Sequence, residues 1–383
     1  MHLEKLQLLN YKSHAEVNLS FPARINVIVG RNGSGKTNLL DSIYYLAFTK
    51  SAFSSSDLHI IRQQEPYFMA KGFFRQGDRV HELVSSVQSS ASGRGAGKKT
   101  FREDQQDYGK LSEHIGKYPV VLIAPDDVDL VKESSEARRK FFDGIISQLD
   151  RGYLDSLLRY NHTLKQRNSL LKMFQDSGKP DWLALEVYDR EIVRFGELIY
   201  QRRLAFVQEF LPEFRRFYKF IVEEREATDL TYMSALRDIG YEEGLRKSRS
   251  KDLVLQRTSF GIHRDDFHFT LGDGDLKRLG SQGQQKSFVI ALKLAQTAIL
   301  ERAKGFKPIL LLDDIFDKLD DFRISRLLEV IRNGAPGQIF ITDARPDRTT
   351  TLLETTGLAA SLFEVSEQGI RASVSARSED KSV

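Results

Sequence analysis

Ile25 to Leu40 reads INVIVGRNGSGKTNLL, and the fold of the chain turns on this stretch. An apolar run, Ile25 to Val29, enters a glycine-rich turn and continues, from about Lys36, with helical spacing. Gly30, Gly35, Lys36 and Thr37 meet the spacing of a P-loop. The residue types follow from what a phosphate needs. Glycines let several backbone N–H groups turn inward on one phosphate, and the following helix adds the positive end of its dipole. The turn Gly30, Arg31, Asn32, Gly33, Ser34, Gly35, with Lys36, Thr37 and Asn38, is therefore expected to hold a nucleoside triphosphate. Lys36 serves as a point charge on the outer phosphates, and the Thr37 hydroxyl holds a bridging Mg2+.

Upstream, Leu3 to Leu9 and Ala15 to Leu19 alternate as two short strands around the turn NYKSH. Lys12 and Ser13 in that turn offer a cation and a hydroxyl to phosphate, or form a solvated turn. Downstream, Tyr67 to Val87 reads as antiparallel strands with a Gly-Asp turn at 77 and 78. Residues 89–99, with Arg94, Lys98 and Lys99, read as a loop, either a plain hairpin tip or a basic finger for DNA. Tyr118 to Ala124 is a buried strand, after which the composition changes. Glu133 to about Phe174 and Asp181 to about Arg246 carry Leu, Tyr, Phe and Arg at helical spacing, separated by the breaker DSGKP. The first of these reads as one helix. Arg138, Arg139, Lys140, Arg159, Lys165 and Arg167 along it form either a polyanion-binding face or a solvated face with i,i+4 pairs.

The knot GIHRDD, residues 261–266, leads into a strand and then into LGSQGQQKSFVIALKLAQTAIL. There a Gly-Ser turn opens an amphipathic helix from about Gln284 to Glu301, a second helix N-terminus suited to an anion. Lys307 to Phe316, KPILLLDDIF, is an all-apolar strand ending in two acids, as expected where helices cover both faces of a parallel sheet. Asp313 is placed to bind Mg2+ and Asp314 to orient or deprotonate the attacking water. Gln338 to Thr342, Leu362 to Val365 and Ile370 to Val374 complete the strands.

Composition sets the outer bounds. The 383 residues allow two domains, and 57 Lys and Arg against 53 Asp and Glu, a balance of +4, give no general polyanion signal. Cysteine is absent, which removes disulfides and thiolate metal sites and fits a reducing interior. No apolar run reaches the ~18 residues of a membrane span. The start, MHLEKLQLLN, lacks a signal-peptide layout. A soluble, cytoplasmic protein with no membrane partner is expected.

A P-loop, a long helical excursion, a Ser-Gln-Gly turn, a double-acid strand and the Asp-rich DKLD, in that order, resemble the heads of ABC-type ATPases, which SMC proteins share. In that group LGSQGQ corresponds to the signature, ILLLDD to Walker B and DKLD to the D-loop. LEKLQLLNYKSH, GRNGSGKTNLLDSIYYLA with KSAF, APDDVDLVKESSEARRKFFD, GIHRDDFHF and GSQGQQKS are together similar to the RecF family of bacterial recombination mediators, to about residue 345.

The resemblance implies an α/β fold, an ABC-type P-loop ATPase head with a mixed sheet and a helical second lobe. Its lobes divide as 1–125, 126–284 and 285–374, with a disordered tail at 375–383. It also implies ATP with Mg2+ between two copies, Ser281, Gln282, Gly283 and Gln284 of one facing the P-loop of the other, and weak DNA-stimulated hydrolysis. The implied partners are double-stranded, gapped and single-stranded DNA, RecR and RecO, and a second copy formed on ATP; the implied role is assistance in RecA loading. Ile262 stands where the family usually has proline, and Asp343 where many ABC heads have histidine. Asp314 replaces the common glutamate, one methylene longer, so slow hydrolysis is expected. Two other classes use the same motifs. A transporter ATPase subunit needs a shorter helical subdomain and a signature LSGGQ; a structural SMC organiser needs far longer arms.

Overall fold

The computed structural model of the chain describes residues 1–22, 24–90, 97–222, 227–334, 337–347, 349, 351, 360–366 and 368–375. Two units emerge, one of residues 1–127, 220–222 and 292–383, the other of residues 128–219 and 223–291. The expected loop cation Arg94 lies outside the described residues; of the expected tail at 375–383, Ser375 is instead the last residue of a strand, and 376–383 lie outside the described residues.

In the first unit the chain runs β1 (His2–Tyr11), β2 (His14–Ser20), β3 (Ile25–Val29), α1 (Lys36–Phe48), β4 (Tyr67–Gln76), β5 (Arg79–Gln88), β6 (Lys98–Glu103), β7 (Gln106–Asp107) and β8 (Val120–Ile123). The second unit contributes α2 (Asp129–Lys132), α3 (Ser135–Leu149), α4 (Arg151–Ser177), α5 (Trp182–Val222), β9 (Thr228–Met233), α6 (Tyr241–Leu255), β10 (Asp266–Leu271), β11 (Gly274–Asp275) and α7 (Leu276–Leu279). α8 (Gln282–Lys304) begins there. The first unit resumes with β12 (Ile309–Leu312), α9 (Asp321–Arg332), β13 (Ile339–Asp343), β14 (Ala360–Ser366) and β15 (Gly369–Ser375).

Two six-stranded sheets build the first unit, an antiparallel one in the order β2-β1-β4-β5-β6-β7 and a mixed one in the order β15-β14-β3-β13-β12-β8. β3, β12, β13 and β8 are buried along their whole length. That is the expected fate of continuous apolar strands in a parallel sheet covered on both faces. Leu39, Leu40, Ile43 and Leu46 of α1 share one core with Leu6 and Phe68 of the antiparallel sheet and Leu311 and Phe340 of the mixed sheet. Because β13 separates β3 from β12, the loops after these strands open side by side at the carboxyl edge, where α/β sheets place their ligands.

The second unit is mainly helical, with β11-β10-β9 as a small antiparallel sheet. Its core is aromatic: Phe142 stacks on Phe267 at 4.1 Å between ring centroids. The single helix expected over Glu133–Phe174 is two. Asp150 ends α3, and its carboxylate accepts the Tyr153 N–H at 3.0 Å to cap α4. A short acidic side chain competes for backbone donors in this way wherever it can start a new helix. The DSGKP break holds, with Gly178 in the left-handed region after α4. The stretch Asp181–Arg246 is not all helix either, since β9 lies within it and pairs with β10 from Met233↔Asp266 to Thr228↔Leu271. That strand depends on a partner distant in the chain.

Two further expectations change. Lys98 and Lys99 are in strand β6, opposite Gln88 and Val87. Lys99 is held by Asp57 at 2.8 Å and by the Thr49 carbonyl, with its ammonium 4.9 Å from the Tyr45 ring centre. It is no free basic finger. In the helical unit Arg167 is fully buried, bonded to Asp189 and Asp252, each at 2.7 Å, and to Thr258 at 2.8 Å. Arg138 is bidentate to Asp266, Lys140 pairs with Glu136 one turn away, and Arg159 lies over Phe195. Lys165 is exposed with no intramolecular contact described, and Arg159 is exposed with only its ring contact. Of the two readings of these cations, the Lys140–Glu136 pair fits the solvated face with i,i+4 pairs, while Arg138 and Arg167 are committed to carboxylates within the protein.

Candidate nucleotide-binding site

The turn between β3 and α1 is held open by two glycines. A methyl group on Gly30 would run into the Val365 carbonyl, and one on Gly35 would stand 2.5 Å from Ser13 Oγ. Gly35, at φ 102°, is the N-cap of α1 and supplies no side chain to that helix end, so the first-turn N–H groups face the open loop. Lys36, largely buried, folds its ammonium back over the loop and donates to the carbonyls of Gly30 (2.9 Å) and Arg31 (3.2 Å).

Thr37 faces the other way. Its Oγ1 donates to the Asp313 carboxylate, 2.9 and 3.1 Å from the two oxygens. From the opposite side Thr342 Oγ1 donates to Asp313 Oδ1 at 2.7 Å and accepts the backbone N–H of Asp314 at 2.9 Å. Burial pushes the Asp313 carboxyl up, while the bonds from Thr342 and Thr37 hold it down. Asp314 follows in the left-handed region, φ 44° and ψ 32°. Its turn follows the end of β12.

The NYKSH turn reaches the site through two residues. Asn38 Nδ2 donates to Ser13 Oγ at 2.8 Å, and His14 Nε2 donates to the Gly35 carbonyl at 3.0 Å. His14 is buried, which lowers its affinity for a second proton. Lys12 turns elsewhere. Its ammonium sits 2.7 Å from buried Asp41, which also accepts Tyr11 Oη and Ser51 Oγ. Asp343, buried at the end of β13, accepts the Arg345 N–H at 3.0 Å and the Thr349 hydroxyl. Both its oxygens are engaged within its own loop.

In the second unit Ser281 and Gln284 form a capping box at the start of α8. Gln284 N donates to Ser281 Oγ at 3.2 Å, and Ser281 N donates to Gln284 Oε1 at 2.8 Å. Ser281 and Gln282 are exposed, and Gly283 and Gln284 half-buried, so this end of the helix faces solvent.

A phosphate loop joined through Thr37 to a double-acid strand two strands away identifies a nucleotide-binding head, and the relatives narrow it. The model for the RecF/RecN/SMC N terminal domain matches residues 2–362. The DNA replication and repair protein RecF of Cytophaga hutchinsonii is 44% identical over 379 residues, covering 99% of each chain. The chain belongs to the RecF family. RecF of Flavobacterium johnsoniae is 41% identical over 365 residues, 95% of this chain and 100% of that one. A solved structure described as the recombination mediator protein RecF-ATPrS in the RecFOR pathway has a TM-score of 0.86 at 27% identity, covering 97% of this chain and 98% of its own. An SMC head bound to a domain of ScpA shares the fold, with TM-score 0.55 at 16% identity. The α/β head with a helical second part is thus a RecF fold, and the chain is a member of a family of SMC-like ATPases named for DNA replication and repair.

Two members of this RecF site were not read from the sequence. His14 carried no signal beyond its place in the turn. Thr342 lay in a strand whose apolar character hid a hydroxyl aimed at Asp313.

Proposed function

We propose that this RecF-family chain is an ATP-dependent DNA-binding protein of recombinational repair and replication. Two copies close on ATP near single-strand gaps, assist RecA loading with RecR and RecO, and open on slow, DNA-stimulated hydrolysis. The observation that carries the reading is the Thr37–Asp313 contact, which ties the phosphate loop to the double-acid strand.

The residues suit ATP and Mg2+. Gly30 and Gly35 leave space that any side chain would fill, and the Lys36 ammonium already rests on carbonyl oxygens of the loop, a placement it can exchange for phosphate oxygens. No cluster of three or more His, Cys, Asp or Glu occurs among the described residues. One carboxylate and one hydroxyl suit Mg2+, which completes its shell with water and phosphate oxygens. When bound, Mg-ATP supplies the phosphoanhydride and a cation that offsets its charge.

The chain's own groups then divide the work. Residues 30–35 direct backbone N–H groups inward, Lys36 neutralises the outer phosphates, and Asn38 anchors the loop to Ser13. Thr37 and Asp313 hold the metal. Asp314 orients the attacking water, and its short side chain makes that step slow. The α8 terminus at Ser281–Gln284 meets the γ-phosphate of the partner copy through the Gln282 and Gly283 N–H groups, which lie outside the Ser281–Gln284 capping box. RecF-ATP and RecF-ATPrS structures of relatives at 28% and 27% identity support ATP as the nucleotide.

The test is a mass measurement by sedimentation with and without Mg-ATP, run beside ATPase assays with and without gapped duplex DNA. Monomers that become dimers on ATP, and turnover that rises with DNA, are the expected result. Lys36→Arg is expected to retain nucleotide and lose turnover. A mass indifferent to ATP would defeat the clamp, and full turnover by Lys36→Arg would remove the lysine from the mechanism.

A further inference from the structure

The mixed sheet places β13 between the strand that feeds the phosphate loop and the strand that ends in the two acids. The residue of β13 level with that gap is Thr342, fully buried, and its one hydroxyl serves both acids. It donates to the Asp313 carboxylate and accepts from the Asp314 backbone. No other described hydrogen bond joins these two residues through one atom. We propose that Thr342 is a positioning residue, which fixes the metal-side carboxylate and the turn of the water-side acid relative to each other. This rests on the ATPase reading above and adds a residue to it.

The physical argument has three parts. First, the Asp313 carboxylate has two described side-chain donors, Thr37 and Thr342. Thr37 belongs to the phosphate loop, so its hydroxyl must adjust to whatever occupies that loop. Thr342 is on a buried strand paired on both sides, and stays put. Second, Asp314 adopts a left-handed conformation, which costs an L-residue energy even where, as for aspartate, it is among the more tolerated, so a bond that holds it matters. The bond from its N–H to Thr342 is such a restraint. Third, valine has the shape of threonine without the hydroxyl, so both bonds can be removed at little cost in volume.

The experiment compares the full-length wild type with Thr342→Val and Thr342→Ser. Two readouts are used: binding of Mn2+ to protein loaded with a non-hydrolysable ATP analogue, followed by electron paramagnetic resonance, and steady-state ATP turnover. Loss of a residue that orients a metal ligand typically costs about 10- to 100-fold in affinity or activity. Thr342→Val is expected to weaken Mn2+ by about tenfold or more and to lower kcat by a similar factor, with metal-free nucleotide affinity unchanged and Thr342→Ser close to wild type. If Thr342→Val does not fold, Thr342→Ala, which also lacks the hydroxyl, takes its place. Wild-type Mn2+ binding and kcat in the valine variant overturn the inference. Equal damage in the valine and serine variants overturns it too, because the methyl and not the hydroxyl would then matter. A wild type that never turns ATP over, combined with weakened Mn2+ in Thr342→Val, sinks the ATPase reading and leaves the positioning role standing.

Discussion

Thr37 and Asp313, far apart in the chain, meet through a hydroxyl 2.9 Å from a carboxylate oxygen. If this pair holds the metal, removing either half should do the damage of removing both. Thr37→Val and Asp313→Asn are each expected to reduce turnover by about 100-fold or more, and the double variant to add little, since groups acting as one unit are not additive. Magnesium titrations of kcat are the measurement. Fully additive losses would separate the two residues.

Ser281 caps α8 at a helix end that faces solvent. Ser281→Arg should leave nucleotide binding by the single copy intact and abolish ATP-driven dimers in sedimentation, because a long cationic side chain would fill the place that the proposed clamp gives to a second copy's phosphate. A dimer as abundant as that of the wild type would contradict the assignment of this turn to the partner's nucleotide.

Arg167 lies wholly within the helical unit between Asp189 and Asp252. Arg167→Met leaves two carboxylates with a lost cation, and breaking a buried pair from one side costs about 3 to 5 kcal/mol. Urea unfolding should show a loss of unfolding free energy of that size. A shift below about 1 kcal/mol would place this arginine among ordinary surface charges.

Stability is expected to fall on mild acidification. His114, bonded to the Leu46 carbonyl at 2.7 Å, is pushed by burial down to about 4, and His263 likewise to about 4, from the ordinary 6.5. Between 6.5 and 4 the unfolded chain binds more protons than the folded one, so stability drops as pH falls, by up to about 1.4 kcal/mol per unit for each histidine. Glu103 acts in the same direction further down. Burial alone would raise its carboxyl, but bonds from Lys117, Tyr108 and Tyr118 hold it at about 2, so its contribution is lost as pH falls from 4.5 toward 2. Melting temperatures from pH 7.5 to 5 measure the effect, and His114→Gln should flatten part of the slope. The same slope in that variant would rule His114 out.

DNA affinity should weaken steeply with salt, log K falling by about 0.9 per log unit of salt for each phosphate contacted. Because Lys99, Arg138 and Arg167 are committed within the protein, Lys99→Ala should leave that slope unchanged. A flat response in the wild type would contradict a phosphate-dominated interface.

The nucleotide site was legible because its chemistry is local. Four residues at fixed spacing define the phosphate loop, and two adjacent acids end a continuous apolar strand. What escaped depended on partners far along the chain. β9 is a strand because β10 lies beside it, and Arg167 is buried because α5 and α6 bring it Asp189 and Asp252. Charge along a helix does not reveal whether its counterion comes from solvent or from another helix. Lys12 shows the same limit, since its turn allowed either phosphate or solvent, and the partner it has is Asp41 of α1.

β3 carries the phosphate loop and is flanked by β13 and β14, both from the last part of the chain. During translation the strand therefore emerges early from the ribosome and waits without either neighbour until nearly the whole polypeptide has been made. A message cut short before Ala360 yields a chain without β14, and so a loop missing the carbonyl wall at Val365 against which Gly30 rests.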